Sequence, residues 1–315
     1  MLSGVPAKYQ SILEQAATAY RDALATAGYS AADADRRLGT FLARVGEQLA
    51  SPFQFEPYQR RITEPFDYYT FGVEFFRPLI NKPLSTLTGR DQLTRVAAQL
   101  TSGENVIFLA NHQSEADPQA ISVMLEDEFD AIGREMIFVA GERVITDPLT
   151  APFSKGRNLL CIFSKRHIDH PPEQKAAKTN HNRKTMERMA ELLSEGGHCI
   201  YVAPSGGRDR RDATGTIAVA AFDPQNVEMF WLMAQRASRP THFYPMALST
   251  FDILPPPETV QVELGEPRTM TFTPVHLAVG AELDMAGFDA LDRAERRVAR
   301  ADAAWRAVRD LYAAF

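Results

Sequence analysis

"NVIFLANHQSEADPQA", residues 105–120, decides the fold. Its first six residues form an apolar, β-rich run with the length of a buried strand. A polar loop follows. Pro118 suits the first turn of a helix, because the N–H it lacks would be unpaired there anyway. Asp117 is then expected as the N-cap, its carboxylate accepting a backbone N–H of the helix it opens. His112 falls in the loop at the strand's end. Within one helix, a five-residue separation would put His112 and Asp117 roughly 140° apart. The strand–loop–helix break removes that obstacle and lets the two converge.

Working outward, the same kind of run recurs as "EMIFVA" (135–140), "LLCIFS" (159–164), "HCIYVA" (198–203), "FYPMALS" (243–249) and "VQVEL" (260–264). Helix-like stretches, such as 118–128 and 175–195, lie between several of them. Alternation of this kind predicts an α/β fold, a mixed β-sheet flanked by helices, over residues 81–315. A closing helix is expected from about Phe288 to Tyr312, with Leu291, Val298, Trp305 and Val308 inward.

The first 80 residues read differently, as a small N-terminal helical bundle. Tyr9, Ile12, Leu13, Ala16, Tyr20 and Leu24 share one helical stripe; Leu38, Phe41, Leu42, Val45 and Leu49 share another. A third, aromatic helix is expected around Phe66 to Phe76.

Composition bounds the function. The chain has 315 residues, 45% hydrophobic and 23% charged, a globular balance with a net charge of −6. Nothing global points to nucleic acid. Cys161 and Cys199 sit in apolar runs and read as buried free thiols of a reducing compartment. No run approaches the length of a membrane-spanning helix, and the N-terminus turns polar too early for a secretory signal.

Three stretches carry candidate chemistry. His112 and Asp117, at a strand's end, are a candidate general base and the carboxylate that orients it. "YVAPSGGRDRRD", 201–212, leads a strand into two glycines and then Arg208, Arg210 and Arg211. Glycines let backbone approach an anion, and arginines match phosphate bidentately. The same stretch loosely mimics a serine-hydrolase nucleophile elbow at Ser205, though "GGRDRRDATG" is a poor start for the helix an elbow requires. Finally, "LLCIFSKRHIDHPPE", 159–173, delivers Lys165, Arg166 and His167 at a strand's end. Residues 155–184 hold eight basic residues against two acids, a local charge of +6 that favours an anionic partner. No aromatic residues are interleaved in the way single-stranded nucleic acid requires. His167, His170 and His181 are spaced too irregularly for a metal site, and neither a metal nor a cofactor is expected.

Together these blocks resemble the soluble, plastid-type glycerol-3-phosphate acyltransferase family and its bacterial relatives. "NHQSEAD", "NLLCIFSKRHI", "APSGGRDR" and "FYPMALSTFDILPPP" stand in the family's order, and "APSGGRDR" is the most specific of them. The resemblance implies a helical N-terminal domain and a larger acyltransferase domain. It also implies transfer of a fatty acyl group to the sn-1 hydroxyl of glycerol 3-phosphate. The donor would be acyl carrier protein or acyl-CoA, with contact to membranes at most peripheral. The compartment would be a bacterial cytoplasm or the plastid stroma. By motif position, His112 and Asp117 match the catalytic pair. Arg208 and Arg210 match phosphate-binding arginines, and His167 a binding histidine. Arg166 stands where the family pattern prefers Lys, which trades a point donor for a wide fork; Lys165 is a further phosphate candidate. A neighbouring activity, acylation of lysophosphatidic acid or another phosphorylated alcohol, would share the same His and Asp logic.

Overall fold

The computed structural model describes residues 7–164, 168–257, 269–288 and 290–315. The expected strand at 260–264 lies outside the described residues. So do Lys165, Arg166 and His167.

Two antiparallel-stripe helices open the chain, α1 (Ala7–Thr26) and α2 (Ala31–Ala50). Ser30 caps α2, its hydroxyl accepting the Asp33 N–H. Short strand β1 (Tyr58–Gln59) precedes α3 (Tyr68–Phe76), which Asp67 caps and seven buried residues anchor. There follow β2 (Thr86–Thr88), α4 (Arg90–Thr101), β3 (Asn105–Ala110), α5 (Asp117–Leu125), α6 (Asp130–Glu135) and β4 (Ile137–Gly141). Next come α7 (Glu142–Thr146), α8 (Ala151–Ser154), β5 (Asn158–Ile162), α9 (Lys175–Glu195) and β6 (Cys199–Val202). A small hairpin, β7 (Arg210–Arg211) and β8 (Ile217–Ala218), leads to α10 (Pro224–Arg236), β9 (Thr241–Ser249), β10 (His276–Val279) and α11 (Arg293–Tyr312).

Among the described residues the strands form one eight-stranded mixed sheet, ordered β1-β5-β4-β6-β3-β9-β10-β2. Its centre, β5-β4-β6-β3-β9, is parallel, while β1 and β10 run antiparallel to β5 and β9. β3 is buried along its whole length because helices cover both faces. Val106, Phe108 and Ala110 point into one core, and Ile107 and Leu109 into the other. The first core lies under α3, α5 and the N-terminal helices; the second lies under α9, α10 and α11. Chain order places β6 on one side of β3 and β9 on the other. The C-terminal end of β3 is therefore a crevice between diverging connections, the usual ligand position in such sheets.

The N-terminal helices share the first core with the sheet. Leu13, Tyr20 and Phe41 belong to the same buried cluster as Phe108 and Phe138. Phe153 of α8 stacks on Phe41 of α2 at 5.4 Å and on Phe71 of α3 at 5.1 Å. Immediately beyond, Gly156 passes so close to α3 that a Cβ there would lie 2.3 Å from the Tyr68 carbonyl oxygen.

Two expectations need correction. Val298 of the last helix is 55% exposed, and Leu291 precedes the helix and is exposed. The inward residues are Arg300, Ala301, Ala304 and Val308. Alanines let α11 approach α10 and β9 closely, a preference that a search for large apolar side chains overlooks. Second, the +6 segment is not one surface. Lys155, Arg157 and Lys178 are buried. The Lys155 ammonium lies over the Phe53 and Tyr68 rings, and Lys178 donates to the His170 carbonyl oxygen at 2.7 Å.

Gly156→Ala is expected to cost more than about 2 kcal/mol, since backbone rather than a flexible side chain must move. Val298→Glu should stay within about 0.5 kcal/mol of the parent. Denaturant midpoints of the two variants check the assignment; equal midpoints would contradict it.

Candidate active site

The loop after β3 is held by its own side chains. Nδ1 of His112 lies 2.7 Å from Oδ2 of Asp117. Asp117 is the first residue of α5, and Ala116 occupies the cap position. Its carboxylate does not cap the helix as expected. It turns back instead, accepting the Gln113 and Ser114 N–H groups, each at 3.0 Å, and the Thr250 hydroxyl at 2.5 Å. The loop is tight enough that these amides precede the carboxylate in sequence and still reach it. With only acceptor atoms facing it, Nδ1 of His112 carries the proton, and Nε2 is left to accept one. The ring is 29% exposed and lines a cavity; Asp117 is 1% exposed.

A second carboxylate, which the sequence reading passed over, organises the rest. Asp209 is 1% exposed. Its Oδ2 accepts from Nδ2 of Asn111 at 2.8 Å and from Nε2 of Gln113 at 3.3 Å, and its Oδ1 accepts the Ala220 N–H at 2.9 Å. Its own N–H donates to the His112 carbonyl at 2.6 Å. Burial pushes the Asp209 carboxyl above the usual range, and those hydrogen bonds oppose the push. Asn111 and Gln113 also reach the far strand: Oδ1 of Asn111 accepts the Leu248 N–H, and Oε1 of Gln113 accepts the Thr250 and Phe251 N–H groups. The Tyr201 hydroxyl donates to the Asn111 carbonyl at 2.6 Å. Burial and the nearby carboxylates push that phenol well up, so it remains a donor. The only hint of Asp209 in the sequence is an acid set between two arginines.

Because the Asp209 N–H is bonded to the His112 carbonyl, its neighbour Arg208 lies against the loop after β3. Arg208 is 14% exposed, and its Nη1 lies 3.6 Å from a carboxylate oxygen of Glu115. Nη1 of Arg210 donates to the Pro257 carbonyl. Ser205 is followed by a turn, with Gly206 in the left-handed region (φ 68°), rather than by a helix. Its hydroxyl donates to the Gly207 carbonyl at 3.0 Å. An elbow is therefore not built there. Cys161 and Cys199 are buried free thiols, and burial pushes the first up to about 12.

The cavity beside His112 has a volume of about 140 Å³ and opens to solvent. His112, Glu115 and Ala203 stand at the polar end, Phe138 and Leu159 form the sheet wall, and Leu13 and Phe41 of the N-terminal helices complete it. Elements from opposite ends of the chain thus enclose one apolar chamber, which no local sequence pattern signals.

A His–Asp pair thus stands at the switch point of the α/β sheet and opens on an apolar chamber. The family model described as Acyltransferase matches residues 86–249. Three chloroplastic glycerol-3-phosphate acyltransferases are similar to the chain. That of Arabidopsis thaliana is 36% identical over 98% of this chain and 68% of its own length. That of Spinacia oleracea is 40% identical over 84% and 57%, and one from Cucurbita moschata 37% identical over 92% and 65%. The chain belongs to the glycerol-3-phosphate acyltransferase family. It spans between 57% and 68% of the lengths of these relatives.

Asp209→Ala would leave two buried side-chain amides and one N–H without their acceptor. It is expected to cost roughly 2–4 kcal/mol. Thermal or denaturant unfolding reads this directly, and a loss below about 0.5 kcal/mol would remove Asp209 from its place as organiser.

Proposed function

We propose that the protein transfers a fatty acyl group from acyl carrier protein or acyl-CoA to the sn-1 hydroxyl of glycerol 3-phosphate, giving lysophosphatidic acid. The observation that carries this reading is the His112–Asp117 pair, set between an apolar chamber and Arg208 and Arg210. A thioester is already activated, whereas an alcohol is a weak nucleophile at neutral pH. Nε2 of His112 takes the proton of the attacking hydroxyl as its oxygen bonds to the thioester carbon. Asp117, held by three other donors, keeps the ring's tautomer and stabilises the imidazolium. When the tetrahedral intermediate collapses, the carbon–sulfur bond breaks and the proton passes to the leaving thiolate. No acyl-enzyme is needed.

Arg208 and Arg210 grip the phosphate, joined by Arg166, His167 and Lys165. The chamber takes the acyl tail, with residues 1–80 as its cover and 81–315 as the acyltransferase domain. Burial of part of the +6 segment weakens the charge argument for an acidic carrier as donor. Competition between one acyl chain on both carriers decides that question. Among the described residues no helix is long and apolar enough to cross a membrane. A plastid stroma fits the chloroplastic relatives, and a bacterial cytoplasm is the other compartment proposed.

Thiol release that depends on glycerol 3-phosphate is the primary test; release without the acceptor, or none with it, would sink the reading. His112→Ala should lose about 10²- to 10⁴-fold in kcat while retaining glycerol 3-phosphate binding. Arg208→Ala and Arg210→Ala should chiefly raise KM for glycerol 3-phosphate, and an unchanged KM in both would remove the clamp.

A further inference from the structure

Beyond its polar end at His112 and Glu115, the chamber's lining includes a buried cation. Arg157, at the entrance to β5, is 3% exposed. Its Nη1 donates to the Ser122 hydroxyl at 2.6 Å. Its Nε and Nη2 are buried and have no hydrogen-bond partner among the described residues. Among the described residues no carboxylate forms an ion pair with it. Burial pulls this guanidinium down to about 10, Arg61 adds to the fall, and the Tyr69 phenol offsets only part of it. The Tyr69 ring lies 4.9 Å from the guanidinium carbon and is shared with Arg134 at 4.7 Å.

Gln119 is the matching opposite. It is 2% exposed, and its Oε1 is a buried acceptor with no partner among the described residues. Gln119 and Ser122 stand three residues apart on α5, so they share a face. Gln119 therefore stands one helical turn from the hydroxyl that Arg157 binds, and Arg157 and Gln119 both line the chamber. α5 begins at Asp117 beside the reacting histidine. Ser122, five residues on, is about 7.5 Å further along the helix axis. The polar patch is thus met by the acyl chain several carbons beyond the thioester.

Leaving buried polar groups unpaired is costly, and more so where charge is involved. An apolar tail alone would perpetuate that cost. A hydroxyl would end it, accepting from Arg157 and donating to Gln119 at once. We propose that Arg157 and Gln119 form a subsite for an oxygen-bearing acyl chain, so that the enzyme selects acyl donors hydroxylated at one depth along the tail. The inference rests on the chamber's being the acyl site.

The test is a competition of hydroxyacyl-CoA donors, the hydroxyl walked along the chain, each against its unsubstituted parent. One position should be preferred about tenfold or more in kcat/KM. In Gln119→Leu and Arg157→Met the ratio should fall to near one. Arg157→Met risks misfolding, so Gln119→Leu carries the comparison alone if necessary. No preferred position in the parent enzyme overturns the subsite, as does a preference that survives in Gln119→Leu. The first result would mean that the patch holds water rather than substrate, and the second that another group reads the hydroxyl. Ala140→Phe separately tests the chamber. It should depress transfer of all long chains more than short ones, and indifference to chain length in that variant would overturn the acyl-site reading itself.

Discussion

The buried carboxylate of Asp209 is the constraint on which the site depends. Three loop segments meet at the end of β3, and none is tied to another by regular strand pairing there. Asp209 joins them: it receives Asn111 and Gln113 from the first and Ala220 from the hairpin, while Asn111 and Gln113 hold the end of β9. A fully buried anion is expensive, and its cost is offset only where every lone pair finds a donor. The arrangement is therefore all-or-none. Either the three segments come together with their donors aligned, or the charge is exposed and the site is absent.

This explains how the His112–Asp117 pair and the Arg208–Arg210 segment, about a hundred residues apart in the chain, keep a common geometry. Asp209 bonds through its backbone to His112, and its neighbours Arg208 and Arg210 inherit that position. Asp117 does the same on the other side, since the Thr250 hydroxyl binds the carboxylate that binds the histidine. Preorganisation of this kind removes the need to arrange dipoles during the reaction, which is where such sites gain most of their effect.

What was legible in the sequence follows from how local each signal is. The β3 run, the loop His112 and the helix beginning at Asp117 were readable because strand length, turn chemistry and the proline all lie within a few residues. The stripes of α1 and α2 were readable for the same reason. The direction of the Asp117 carboxylate was not, because helix capping and loop closure use the same residue types and differ only in which amides are near. Asp209 was hidden by its neighbours: an acid among arginines reads as a solvated turn until the fold buries it. The +6 segment misled for a related reason. Composition counts Lys155, Arg157 and Lys178 as surface charge, whereas aromatic faces and a carbonyl take them inside. The inward face of α11 escaped because alanine and a buried Arg300 carry it.

The chamber draws these threads together. Its walls come from α1, α2, α3, α5, α8, β4, β5 and β6, so its shape depends on the helical segment packing against the sheet. The aromatic stack around Phe153 supplies that contact, and Gly156 permits the close approach that turns Arg157 inward. A core built only for stability would fill such a space and would satisfy the Nε and Nη2 of Arg157, which have no partner among the described residues. The same packing that joins the two parts of the chain therefore shapes the cavity and places Arg157 in its wall. Stability and the shape of the chamber rest on shared residues, and changes at the interface between helices and sheet must alter both.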